Sequence, residues 1–170
     1  MYLLPSSDES LSQGDIFDAC QIFGIDPNET ALNIDEEIIP DCYRERVVVL
    51  TQACDLANSK TSKILVALIQ PAQIIVDQGI LKAAAIRDQV RRGLAYGWYF
   101  LPKAPPPIPL PESVIDLHDL HTISRPVLQQ LIAEGNRVCR LASPYREHLA
   151  QHFAVTYMRI GLPEPFESEP

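Results

Sequence analysis

Apolar and polar positions along the chain predict a succession of short strands broken by a few helices. Arg46-Val47-Val48-Val49-Leu50-Thr51 is the clearest case. Four consecutive apolar residues between polar ends mark a strand buried on both faces. Ile64 to Ile69 is a second continuous apolar run, and Pro71 interrupts its ladder. Leu11 to Phe17 reads as a first strand over 12–17. Ser113-Val114-Ile115 leads into Leu117, and Leu120 to Ile123 follows, which predicts strands at 113–117 and 121–124 joined by a tight connection. Ser124-Arg125-Pro126 then opens a helix, with Ser as N-cap and Pro in the first turn. Tyr96 to Leu101 is aromatic and strand-like, and Arg137 to Leu141 is a short strand.

Two further segments carry the helical period. Ile80, Leu81, Ala84, Ala85, Val90 and Leu94 recur near helical spacing and predict a helix over about 77–94. Lys82, Arg87, Arg91 and Arg92 give it a basic side. Ser143-Pro144 predicts the start of a last helix, striped by Tyr145, Leu149, Phe153, Tyr157 and Ile160 and ended by Gly161. Asp18 to Asp41 is acidic and turn-rich, with Asp26-Pro27-Asn28 as a turn; Ile34, Ile38 and Ile39 would fasten it as a lid. Six prolines between Pro102 and Pro111 exclude a helix or a central strand and predict an extended surface connection.

Composition narrows the class. The chain has 170 residues, 46% of them apolar, which suits one globular domain over 1–170 with an acidic tail at 164–170. No apolar run approaches the roughly 18 residues of a membrane span. The stretch MYLLPSSDES lacks the basic flank and apolar core of a secretory signal, so the expected compartment is the cytosol. Cys20, Cys42, Cys54 and Cys139 form no C-x-x-C pair, and reduced thiols are expected. Net charge is −8, unevenly spread. Residues 1–43 hold ten Asp/Glu and no Lys or Arg, whereas 44–163 hold 14 Lys/Arg against nine Asp/Glu. Acidic ends on a mildly basic body serve solubility, or cover a groove that would otherwise attract a polyanion.

The order of these parts resembles the MazF/PemK toxin family. Gln13-Gly14-Asp15-Ile16-Phe17 is similar to the family's Gly-Asp-Ile/Val first strand. Arg46 to Thr51 is similar to its Arg-Pro-Val-Leu-Val strand, with Val47 in place of the proline. Ile64 to Ile69 resembles the next core strand, and Glu112 to Leu128 the late strand–strand–helix segment. Gly161-Leu162 resembles the end of the last helix. The likeness covers roughly Ser12 to Pro163, with an insertion near 77–111. It implies a mainly β, α+β fold: a small SH3-like barrel with peripheral helices, curled around Val48, Leu50, Val66, Leu68 and Ile115. It also implies a metal-free, cofactor-free endonuclease acting on single-stranded RNA, an antitoxin protein as partner, and a homodimer whose two barrels build the RNA groove.

Such cleavage needs a cation for the pentavalent phosphate and groups that carry protons between the 2′-OH and the leaving oxygen. The resemblance puts Arg46 in the first role. It puts Gln70 where the family has a hydroxyl, and an amide cannot shuttle a proton. Thr51 offers a hydroxyl on the neighbouring strand. His118 and His121, flanked by Asp116 and Asp119, supply acid/base chemistry, but strand alternation puts 116 and 118 on one face and 119 and 121 on the other. Gln52, Cys54 and Asp55 follow a buried strand, where barrels often bind ligands; as a plain reading, Asp55 caps a helix and Cys54 packs. His148 and His152 have the spacing of helical metal ligands, but Leu149 stands where H-E-x-x-H needs Glu, so a solvated helix face is expected. Two functions follow: a toxin ribonuclease, or a barrel of that ancestry without catalysis that binds protein or nucleic acid.

Overall fold

The computed structural model describes residues 1–24 and 41–158. Its strands are β1 (Tyr2–Leu3), β2 (Asp15–Gly24), β3 (Asp41–Val49), β4 (Lys63–Pro71), β5 (Trp98–Leu101), β6 (Ser113–Ser124) and β7 (Arg137–Leu141). They form one antiparallel sheet, ordered β1-β7-β2-β3-β4-β6-β5. The sheet curls into a half-barrel. Around it lie α1 (Ala53–Ala57), α2 (Ala72–Asp77), α3 (Ala83–Asp88), α4 (Arg125–Ala133) and α5 (Tyr145–Tyr157). The protein is therefore mainly β with peripheral helices. No described helix is long and apolar enough to cross a membrane.

Both faces of the sheet are covered, which is why β3 can carry Val47, Val48 and Val49 in succession, each fully buried. Successive side chains point to opposite faces. Val48, Leu50, Ile69, Ile115 and Leu117 meet Leu149 of α5 on one face. Val47, Val49, Val66 and Leu68 meet Leu128 and Leu131 of α4 on the other. The single core expected around Val48, Leu50, Val66, Leu68 and Ile115 is thus two cores, because a continuous apolar run feeds both sides. A third cluster joins Ile75, Ile86, Val90 and Val114 at the outer edge.

Several elements differ from expectation. Residues 113–124 are one strand, and the register against β4 jumps from Asp116↔Leu68 to Leu120↔Ala67. Residues 117–119 therefore bulge out of the ladder, where a tight connection was expected. The helix over 77–94 is instead the short α3 and a 3-10 turn at Val90–Arg92; α2 ends at Asp77, and Gly79 just after it and Gly93 after the turn both adopt the left-handed conformation. The first strand begins only at Asp15 and continues to Gly24, into the segment expected to form a lid. A bulge between Phe17 and Cys20, with Ala19 at φ 56°, keeps Phe17, Cys20 and Ile22 in the same core. The rest of that lid, with Ile34, Ile38 and Ile39, lies outside the described residues. So do Ile160 and Gly161 of the last helix, whose N-cap is Pro144 and not Ser143. The proline-rich connection is more than a surface linker, since Ala104, Ile108 and Leu110 are buried in the α5-side core.

The acidic N-terminal segment is pinned by arginines of β7. Asp15 is fully buried. Arg140 donates from Nε to Asp15 Oδ1 at 2.5 Å and from Nη1 to Glu9 at 2.9 Å. Arg137 donates to the carbonyl of Ser6 and lies 3.5 Å from Asp15 Oδ2. Cys20 and Cys139 are buried free thiols, and Cys42 and Cys54 are exposed ones.

Candidate functional site

Arg46 sits in β3 opposite Ile69 of β4. Its guanidinium does not stand free. Nε and Nη2 grip the two carboxylate oxygens of Asp18, the Nη2 contact measuring 2.8 Å. The arginine side chain is only 19% exposed. Donating to Asp18 raises the arginine's pKa further, so the charge is permanent but already matched. Cys139, the nearby thiol, is pushed up to about 12 by burial and stays protonated.

The other residues expected to join Arg46 lie elsewhere. Gln70 follows Ile69, so alternation turns it to the opposite face, where its partner in β6 is Val114. Thr51 is five residues along the chain from Arg46, roughly 15 Å away. Its hydroxyl accepts the Leu65 N–H at 2.7 Å, a structural bond that stitches the end of β3 to β4. Gln52 is the N-cap of α1, a role expected of Asp55, and Asp55 sits in the first turn. Cys54 Sγ lies 3.6 Å from Gln52 Oε1 and 3.8 Å from Asp55 Oδ1. Asp55 also stands 3.9 Å from Lys60. Cys54 is exposed and does not pack as expected, and among the described residues no imidazole contacts this cluster.

The bulge in β6 gives the histidines their setting. His118 Nδ1 lies 3.1 Å from Asp116 Oδ1, which also accepts the His118 backbone N–H at 2.8 Å. His121 Nε2 lies 2.8 Å from Asp119 Oδ1. Each histidine is oriented by a carboxylate two residues before it. Asp116 and His118 straddle the start of the bulge, and Asp119 and His121 its end. The His118 ring meets Trp98 edge-on, with centroids 6.0 Å apart, and lies across Gly97. Gly97 has φ 83°, which favours glycine, and a Cβ there would fall 1.8 Å from the His118 ring and push it aside. β4 separates these pairs from Arg46, and two inter-strand steps amount to about 10 Å. Arg46 and the histidines do not share a site.

On α5, His148 is exposed and shares a 3.0 Å hydrogen bond between Nδ1 and the Tyr99 hydroxyl. His152 is not solvated as expected. It is 8% exposed and packed between Tyr96 and Tyr99, and among the described residues its Nε2 has no hydrogen-bond partner. Burial lowers its pKa below the usual 6.5, with His148 adding to the effect. The unfolded chain therefore binds the His152 proton more readily than the folded one. This contribution to stability is complete above about pH 6.5 and is lost as pH falls through the lowered value. We expect thermal unfolding at pH 5.5 to come earlier than at pH 7.5, and His152→Phe to shrink that gap. An equal gap in the variant would assign the acid sensitivity to other groups.

A pair of adjoining pockets runs past β5. One, of about 410 Å³, lies between α2, α3 and Phe100. The other, of about 360 Å³, is lined by Met1, Trp98, Tyr99, Phe100, Tyr145 and His148 among others. Arg91, Phe100 and Glu112 border both. The Arg91 guanidinium lies 5.9 Å from the centre of the Phe100 ring, in cation–π range. The basic side of 77–94 and the aromatic run 96–101 were visible in the sequence. Their convergence was not, because the broken helix folds the 3-10 turn back onto β5. Among the described residues, no three His, Cys, Asp or Glu side chains converge as a metal site. No protein-family model matches the chain, and no curated protein matches it.

Proposed function

We propose that this chain is a cytosolic binding module, an SH3-like barrel of MazF/PemK ancestry that lacks the family's metal-free RNA cleavage. The observation that carries this reading is the two-point ion pair between Arg46 and Asp18. A phosphate approaching Arg46 would have to displace a carboxylate already held in fork geometry. The hydroxyl role is vacant as well: Gln70 faces the other way, and the Thr51 hydroxyl is engaged with Leu65. Association into a homodimer fits the same ancestry.

A second reading draws on one specific observation, the Asp116–His118 and Asp119–His121 pairs on the β6 bulge. A carboxylate-oriented imidazole is a general acid or base in many hydrolases. Under this reading the chain is a ribonuclease toxin whose proton transfer has moved to the histidines, with single-stranded RNA as substrate and an antitoxin as partner. The experiment that separates the two is incubation of the purified protein with a pool of single-stranded RNA in the presence of a chelator. Intact RNA is expected. Fragments that persist in Arg46→Ala but vanish in His118→Ala would move the chain to the second reading.

A further inference from the structure

We propose that the open edge of β5 accepts an extended peptide from a protein partner, a strand that carries an acidic side chain. The inference rests on the binding-module reading and names the partner class for it. The sheet curls but does not close: β1 and β5 are its two edges. They approach each other across a seam bridged by the Tyr2 hydroxyl, which donates to the Pro102 carbonyl at 2.6 Å. Met1, from the first edge, shares the 360 Å³ pocket with Trp98, Tyr99 and Phe100 of the second. Three consecutive residues of a strand point to alternate faces, so a pocket touching all three must run along the strand's edge. β5 pairs with β6 on one side only. Every second residue therefore aims its N–H and C=O into the seam. Outside the β6 ladder, the one backbone hydrogen bond donated from within β5 among the described residues is Trp98 N–H to Ala95 O, at 3.4 Å. Unpaired edges of this kind are where peptides add as strands.

Side chains set the chemistry of the guest. The adjoining 410 Å³ pocket offers Val76, Ala83 and Ile86 to an apolar residue. Arg91 borders both pockets and has no carboxylate within 4 Å among the described residues; its contact is Phe100. Arg87 is already neutralised by Asp88 at 3.0 Å. A carboxylate on the guest would complete Arg91, and an apolar neighbour two residues away would face the same side of the added strand. A single-stranded nucleic acid fits less well, because it brings a charge with every nucleotide against Glu112 and a net charge of −8, whereas the guest brings one carboxylate to Arg91.

The test is selection of a random twelve-residue peptide library on the full chain, followed by binding of the enriched peptides to the unmodified protein and to Arg91→Glu. Enriched peptides should combine Asp or Glu with β-branched or aromatic residues. Arg91→Glu should weaken them roughly tenfold or more. Amide hydrogen exchange should show new protection at residues 98–101. The proposal is overturned if no peptide is enriched, if the enriched peptides bind Arg91→Glu equally well, or if protection appears elsewhere. It is also overturned if a random twelve-nucleotide RNA pool displaces the peptides from β5. Cleavage of RNA at the β6 histidines would remove the binding-module reading without changing the peptide result, so the two fail separately.

Discussion

Asp15→Ala is expected to lower the unfolding free energy by about 3–5 kcal/mol, the cost of removing one partner from a buried ion pair. Asp15 is fully buried, and the Arg137 and Arg140 side chains beside it are 4% and 13% exposed. Its loss would leave two guanidinium groups poorly matched. The Ser12 N–H, which donates to Asp15 Oδ2 at 2.9 Å, would lose its partner too. The arginines would still reach the Ser6, Glu9 and Ser10 carbonyls, but these do not neutralise charge. Glu9, also paired to Arg140 but exposed, is the control; Glu9→Ala should change stability little, as exposed pairs do. Urea unfolding of the three proteins reads the difference. Equal midpoints for Asp15→Ala and the unmodified protein would show that the network stabilises nothing.

Leu149→Ala is expected to cost about 2–5 kcal/mol. Leu149 is 1% exposed and belongs to the α5-side core with Ile115, Leu117 and Leu141. It anchors the helix that forms one wall of the seam, through Tyr145 and His148. Trp98 is the chain's single tryptophan and lies in the same pocket, so it reports locally. A red-shifted emission below the main transition would show α5 releasing before the sheet. Val155, exposed on the same helix, is the matched control, and Val155→Ala should leave both readouts nearly unchanged.

How much of this was legible depended on whether a feature was local. Val47 to Leu50 and Ile64 to Ile69 announced buried strands, because only a sheet covered on both faces hides every side chain of a run. Ser124 and Pro126 marked the start of α4 correctly, since capping is decided within one turn. Division of the core was not legible, because Val48 and Val66 look alike until pairing assigns each a face. The helix at 77–94 failed because alanine-rich periodicity said nothing of Gly79, whose left-handed backbone stops α2. His152 was misjudged for a related reason: its spacing from His148 gives no sign that Tyr96 and Tyr99, from a distant segment, will bury it. Arg46 was expected to open its strand, but β3 starts five residues earlier at Asp41, and the meaning of Arg46 rests on Asp18, 28 residues before it and re-aimed by a bulge. The seam is the least local feature of all, since it joins Met1 to Trp98.

The account turns on whether Arg46 is a structural partner of Asp18 or a catalytic cation, and a paired comparison of Arg46→Ala and Asp18→Ala measures this directly. Each variant should be assayed for stability and for cleavage of single-stranded RNA with a chelator present. If the pair is structural, the two substitutions lower stability alike, the double variant costs no more than either single one, and RNA stays intact throughout. The account is contradicted if the unmodified protein cleaves RNA, Arg46→Ala abolishes cleavage, and Asp18→Ala, by freeing the guanidinium, preserves or raises it.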